Sequence, residues 1–178
     1  MVTLKPHDVV LALKLKCNDA GHTKLSTSYL AESLKLSRGE ISKSINRLGQ
    51  LEFIRISEEN GARHHHVLTQ NLVGFLVNSI RYVFKPEPLG VLRGIPTSFS
   101  YEKLPSDIVP RELPLVWATP RGVVTGEAVE PLYPGVPHAA EKDPSLYQIL
   151  ALVAALRAGE PRETKEAKQL LSMIIRCY

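Results

Sequence analysis

Near the start of the chain, apolar positions fall into a helical period three times in succession. Residues 6 to 19 place Val9, Val10, Leu13 and Cys17 on one side with Leu11 and Leu15 alongside, and Pro6 stands in the first turn, where a missing N–H is harmless. Residues 26 to 35 repeat the period through Tyr29, Leu30 and Leu34. Ser26 or Thr27 is available there as an N-cap, and the helix stops at Leu36-Ser37. Ser37-Arg38-Gly39-Glu40 has the form of a capping box, in which the hydroxyl and the carboxylate each satisfy a free N–H. Ile41, Ile45 and Leu48 then share one face of a third helix.

From Phe53 the period falls to two. Ile54 and Ile56 alternate with Arg55, the turn residues Glu58-Glu59-Asn60-Gly61 follow, and His64 to Thr69 return as a second strand, which predicts a β-hairpin. Leu72, Phe75, Leu76, Ile80 and Val83 predict a fourth helix over 70–84. Proline then changes the texture of the chain: of thirteen, Pro6 alone precedes residue 86. Residues 85–143 read as irregular but docked chain, because Trp117, Leu132 and Tyr133 are too apolar for a free linker. Asp143-Pro144-Ser145 starts another helix through Leu146, Ile149, Leu150, Val153 and Leu156 to Gly159, and residues 162–176 predict a last one. The expected fold is mainly α with a small β-hairpin. Its expected parts are a domain over 1–85, a Pro-rich segment over 86–142, and a helical region over 143–178 for dimerisation or partner binding.

Composition narrows the class. Of 178 residues 44% are hydrophobic, yet no apolar run approaches the ~20 residues that span a bilayer, so no membrane partner is expected. The opening residues lack the basic, apolar, small order of a signal peptide, which predicts a cytoplasmic protein. Cys17 and Cys177 have no metal-ligand spacing and read as reduced thiols. The net charge of +4 is unevenly placed: residues 1–85 carry twelve Lys and Arg against seven Asp and Glu, so the positive field belongs to the first half.

The order helix, helix, short turn, helix, hairpin is that of a winged helix-turn-helix, and residues Tyr29 to Leu48 resemble its core motif. Over residues 5–84 the chain is similar to the MarR-like branch of these regulators. The resemblance implies a sequence-specific, double-stranded DNA-binding transcriptional regulator, with a recognition helix over 37–50 in the major groove and a wing over 57–66 at the minor groove. Arg38 and Lys43 suit guanine, Asn46 suits adenine, and Ser42 suits a base edge or a phosphate. Arg47 reads as a backbone contact. Ser26, Thr27 and Ser28 are placed for phosphate at the start of the second helix, as are the free N–H groups after Ser37. At the wing, Arg63 is the inserting side chain beside Asn60, Gly61 and Ala62, with His64 or His66 near phosphate.

Other chemistry is weakly signalled. His64-His65-His66 alternate between strand faces, so only His64 and His66 share one, and neither a metal site nor a cofactor is expected. No nucleophile elbow, phosphate-cradling loop or zincin motif is present, which argues against an enzyme; the glycines of Gly90 to Gly94 and Arg121 to Gly126 read as turns. The apolar stripes of 70–84 and 146–156 predict a homodimer built from them. A rival reading has Tyr101, Trp117 and Tyr133 wrap a protein partner, as in an antitoxin-like or defence-system regulator acting through its C-terminal half.

Overall fold

The computed structural model of the chain describes residues 1–19, 25–59, 62–109 and 111–178. Among these it is mixed α/β and mainly helical, with eight α-helices, a two-stranded hairpin and a three-stranded sheet. Helix α1 (Pro6–Asp19) is enclosed on more than one side, and Val9 through Leu13 are all at most 1% exposed. The reason is two-sided packing, against α3 (Arg38–Gln50) and against α7 (Pro144–Ala158).

Between α1 and α3 lies α2 (Thr27–Leu34), which buries Leu30 and Leu34. Its end is set by Lys35, whose left-handed φ of 50° returns the N–H to the Ala31 and Glu32 carbonyls. Ser37 then caps α3, accepting from the Glu40 N–H at 3.0 Å. Helix α3 closes on the same device, with Glu52 at a φ of 56°. There the Phe53 N–H reaches the Leu48 carbonyl at 2.9 Å and the Glu52 N–H reaches that of Gly49 at 3.1 Å, the paired bonds of a Schellman motif.

The hairpin joins β1 (Ile54–Glu59) to β2 (Ala62–Val67) in antiparallel register, Ile54 opposite Val67. Asn60 and Gly61, expected at its tip, lie outside the described residues. The helix anticipated over 70–84 is two helices, α4 (Thr69–Asn78) and α5 (Ile80–Val83). The break falls at Asn78-Ser79, where the Asn78 side chain turns back to donate to the Gly74 carbonyl.

The expectation of irregular chain over 85–143 is corrected by the sheet. Strands β3 (Pro88–Pro96), β4 (Leu115–Ala118) and β5 (Val124–Val129) close on themselves: β3 runs antiparallel to both others, and β4 runs parallel to β5. Two glycines read as turn residues lie inside these strands. A Cβ on Gly94 would strike the Trp117 carbonyl, and one on Gly126 would strike that of Pro114, so the tight closure requires both.

After α6 (Val136–Lys142) comes α7, in which every residue from Ile149 to Arg157 is buried. A helix apolar all round belongs in the centre, and α8 (Pro161–Cys177), α6, α5 and α1 pack around it. Its stripe Leu146, Ile149, Leu150, Val153 and Leu156 is covered within the chain, as are Leu72, Leu76 and Ile80. That corrects the expectation that the 146–156 stripe builds a dimer and removes most of the 70–84 stripe, of which Val83 stays exposed. Burial of each such side chain contributes about 1.5–3 kcal/mol, and all of them join one hydrophobic cluster running from Val9 to Ile175.

Two buried cations tie the early and late parts of the chain together. Lys14 of α1 donates to Asp143 at 2.6 Å, while Asp143 also caps α7 by accepting from the Ser145 and Leu146 N–H groups. Burial is the largest influence on the Lys14 pKa and lowers it, but the hydrogen bond and charge of Asp143, together with Tyr29, outweigh it and leave it above the ordinary value. Arg157 donates to the carbonyls of Phe84 at 2.7 Å and Glu130 at 3.0 Å, and burial pulls its pKa down to about 10.

Candidate nucleic-acid interface

Helix α3 divides its residues cleanly between core and solvent. Ile41, Ser44 and Leu48 are buried and Ile45 is half-buried, whereas Arg38, Gly39, Ser42, Lys43, Asn46 and Gln50 are exposed. The exposed flank therefore lies open along the full length of the helix. Ser42 donates to the Arg38 carbonyl at 3.1 Å, which leaves its hydroxyl oxygen able to accept. Ser26, Thr27 and Ser28 are also exposed, at the first turn of α2, where the Ser26 hydroxyl accepts from the Tyr29 N–H at 3.1 Å.

The inner side of α3 is fastened to α1 by charge. Asp8 is wholly buried and accepts from Arg47 Nε at 2.9 Å, from Arg47 Nη2 at 2.7 Å, and from the Lys5 backbone N–H at 2.7 Å. Arg47 Nη2 also reaches Glu40 at 2.8 Å and Ser44 at 3.0 Å, and His7 meets Glu40 at 2.8 Å. The Arg47 guanidinium beside it, helped by His7 and Lys5, holds the Glu40 carboxyl down at about 2; Asp8, ahead of Glu40, pushes the Arg47 pKa above its ordinary value. Satisfied in this way, the buried charges fix the rotation of α3 about its own axis.

This network corrects two expectations. Arg47 is engaged inward by four side chains, Asp8, His7, Glu40 and Ser44, and is not presented to a phosphate. The Glu40 carboxylate is turned toward Arg47 and His7, so only the Ser37 half of the capping box forms. Asp8 was legible only indirectly: an acid inside an otherwise apolar helical stretch needs a cationic partner, and sequence spacing does not say which.

The hairpin carries the remaining candidates. Arg63 is exposed and stands across the strands from Glu58. His64 is half-buried, and its ring stacks on His66 with centroids 6.4 Å apart, while His66 meets the Ser57 hydroxyl at 3.2 Å. Arg55 of β1 is a further exposed cation that the period-two reading treated only as an alternation marker. Among the described residues no group of three or more His, Cys, Asp or Glu is arranged to hold a metal ion, and no helix is long and apolar enough to cross a membrane.

Compared with known protein families, curated proteins and solved structures, the chain matches none. Its function must therefore be read from its own surface. The aromatic residues expected to wrap a partner are turned inward: Trp117 is 2% exposed, Tyr101 stacks on Tyr147 at 3.9 Å, and the Tyr133 hydroxyl donates to the Leu34 carbonyl at 2.6 Å. That corrects the assignment of partner contact to these three side chains, which hold the C-terminal half against itself and against α2.

Proposed function

We propose that the chain is a sequence-specific double-stranded DNA-binding regulator of the winged helix-turn-helix kind, similar to the MarR-like branch over residues 5–84 and acting in the cytoplasm. Helix α3 enters the major groove, and the β1–β2 hairpin lies at the adjacent minor groove. The observation that carries this reading is the open flank of α3, where Arg38, Ser42, Lys43 and Asn46 stand together while the opposite side is locked to α1. Those side chains match the donor and acceptor patterns of base edges. The first turn of α2 supplies contacts to the phosphate backbone, and Arg63 is the side chain that inserts at the minor groove.

Selection from a randomised duplex library, followed by fluorescence anisotropy on the enriched sequence, tests the proposal. Asn46→Ala is expected to lose about 1–3 kcal/mol of discrimination at one base pair. Arg63→Ala is expected to weaken binding to every sequence and to lower the salt slope by about 1. Failure of the purified chain to bind any duplex at low salt, or equal loss on all sequences from both variants, sinks the proposal.

A further inference from the structure

The end of α2 and the C-terminal half of the chain form a cleft of about 290 Å³. Its walls are Lys35, the turn from Thr119 to Arg121 between β4 and β5, and α6, which brings in His138 and Glu141 one turn apart. Each wall is pinned. The Thr119 N–H bonds the Arg93 carbonyl at 3.2 Å, and the Gly122 N–H closes the turn on the Thr119 carbonyl at 2.9 Å, with Pro120 and Arg121 at its centre. At the start of α6, Gly135 packs so closely on the Leu34 carbonyl that a Cβ would strike it, and the Tyr133 hydroxyl donates to that same carbonyl. The cleft is therefore shaped before any ligand arrives.

Its lining says what would fit. Lys35 brings a point charge and Arg121 a planar fork of donors; both are exposed, and neither has an ion-pair partner among the described residues. Two cations suit a phosphomonoester, which carries nearly two negative charges near neutral pH, better than a carboxylate, which carries one. Thr119 and His138, both half-buried, add hydrogen-bonding groups. The acid of the lining, Glu141, stands six residues along α6 from Gly135, about 9 Å from the end that meets α2. A carboxylate there repels a bare anion but accepts from hydroxyl groups on the same ligand. The volume is at the small end of ligand sites, near a lower bound of about 300 Å³.

We propose that this cleft binds a small phosphomonoester bearing hydroxyl groups, of the sugar-phosphate class, with the phosphate on Lys35 and Arg121 and the hydroxyls on Glu141. The assignment uses none of the side chains given to base contact and does not depend on the duplex reading. A ligand of this size in an open, polar cleft is expected to dissociate on the order of a millimolar.

Magnetic-resonance titration of the nitrogen-labelled full chain with ribose-5-phosphate, without DNA and at constant ionic strength, tests it. The amide signals of Lys35, Thr119, Arg121 and His138 are expected to shift together and to saturate. Ribose, which lacks the phosphate, is expected to shift none of them. Dimethyl phosphate, the singly charged diester found in a nucleic-acid backbone, should bind on the order of tenfold more weakly. Lys35→Gln and Arg121→Gln are each expected to weaken ribose-5-phosphate on the order of tenfold, whereas Lys165→Gln, at an exposed cation of α8, leaves it unchanged. Glu141→Ala should cut the preference for ribose-5-phosphate over inorganic phosphate on the order of tenfold, since it removes both the acceptor and the repulsion. The same spectra show whether each variant is folded. Absence of a saturable shift, a response unmoved by the Lys35 and Arg121 changes, or a preference that Glu141→Ala leaves intact overturns the proposal. Equal binding of the diester does so too, by giving the cleft to a nucleic-acid backbone.

Discussion

Glu40 and Arg47 lie two turns apart on α3, and both turn from the exposed flank toward Asp8 and His7 of α1. The consequence is a specific acid response. In the folded chain Glu40 takes up its proton near pH 2, against an ordinary value of 4.5. A carboxyl depressed on folding stabilises the native state fully above its unfolded value, and that contribution is lost as pH falls toward the folded one. The stability gap between wild type and Glu40→Gln, read from urea midpoints, is therefore expected to be constant above a pH of about 5 and to shrink between about 4.5 and 2. A gap unchanged across that range would contradict the assignment. The sequence revealed the Ser37 to Glu40 spacing but not the carboxylate's destination, because His7 lies 33 residues away and competes for it. Local spacing cannot express such a competition, and the mistaken role of Arg47 has the same origin.

Among the elements, those legible in advance were the ones held by local order. The first three helices, the Ser37 cap, the hairpin and the Asp143 start of α7 all follow from periodicity and cap chemistry within a few residues, and the structure settles the open choice of Ser26 or Thr27 on Ser26. The three-stranded sheet was hidden because its pairs are remote, Pro88 with Val129 for example, and because a bulge and contact glycines interrupt the alternation. The end of α3 offers a test of local chemistry by itself. Glu52 holds a left-handed conformation that costs a residue with a Cβ about 1–2 kcal/mol, while glycine adopts it freely at a smaller entropic cost in the unfolded chain. Glu52→Gly is expected to raise stability by roughly 0.5–1 kcal/mol, since the Asn71 amide bonds the backbone carbonyl of Glu52 and is unaffected. A lowered thermal midpoint would show that the Glu52 side chain, not the turn, matters there.

At the scale of the molecule, the expected parts prove interdependent. Helix α1 gives one side to α3 and another to α7, and Lys14 meets Asp143 across 129 residues of sequence. Lys14→Met leaves the Asp143 carboxylate short of its cation and is expected to destabilise the chain by about 1–3 kcal/mol. Asp143→Asn keeps an oxygen to cap α7 and isolates the loss of charge. With both changes together, the cost should fall short of the sum of the two, and unfolding should remain a single transition by circular dichroism and by tryptophan fluorescence. Strict additivity would deny the coupling. Charge asymmetry and proline content marked a boundary near residue 86. They could not reveal that the hydrophobic cluster continues across it, because the apolar stripes of α4 and α7 look the same in sequence whether a second copy or the same chain covers them.

From Ile149 to Arg157 the chain threads its own interior as a rod with no wet side. Such a rod tolerates no miscounting. One residue added within it would rotate everything beyond by about 100°, swinging Arg157 off the carbonyls of Phe84 and Glu130 and pressing a guanidinium into hydrocarbon. Length there is as strictly fixed as composition, so variants of this chain that gain or lose residues are expected to do so in exposed turns such as Glu102-Lys103.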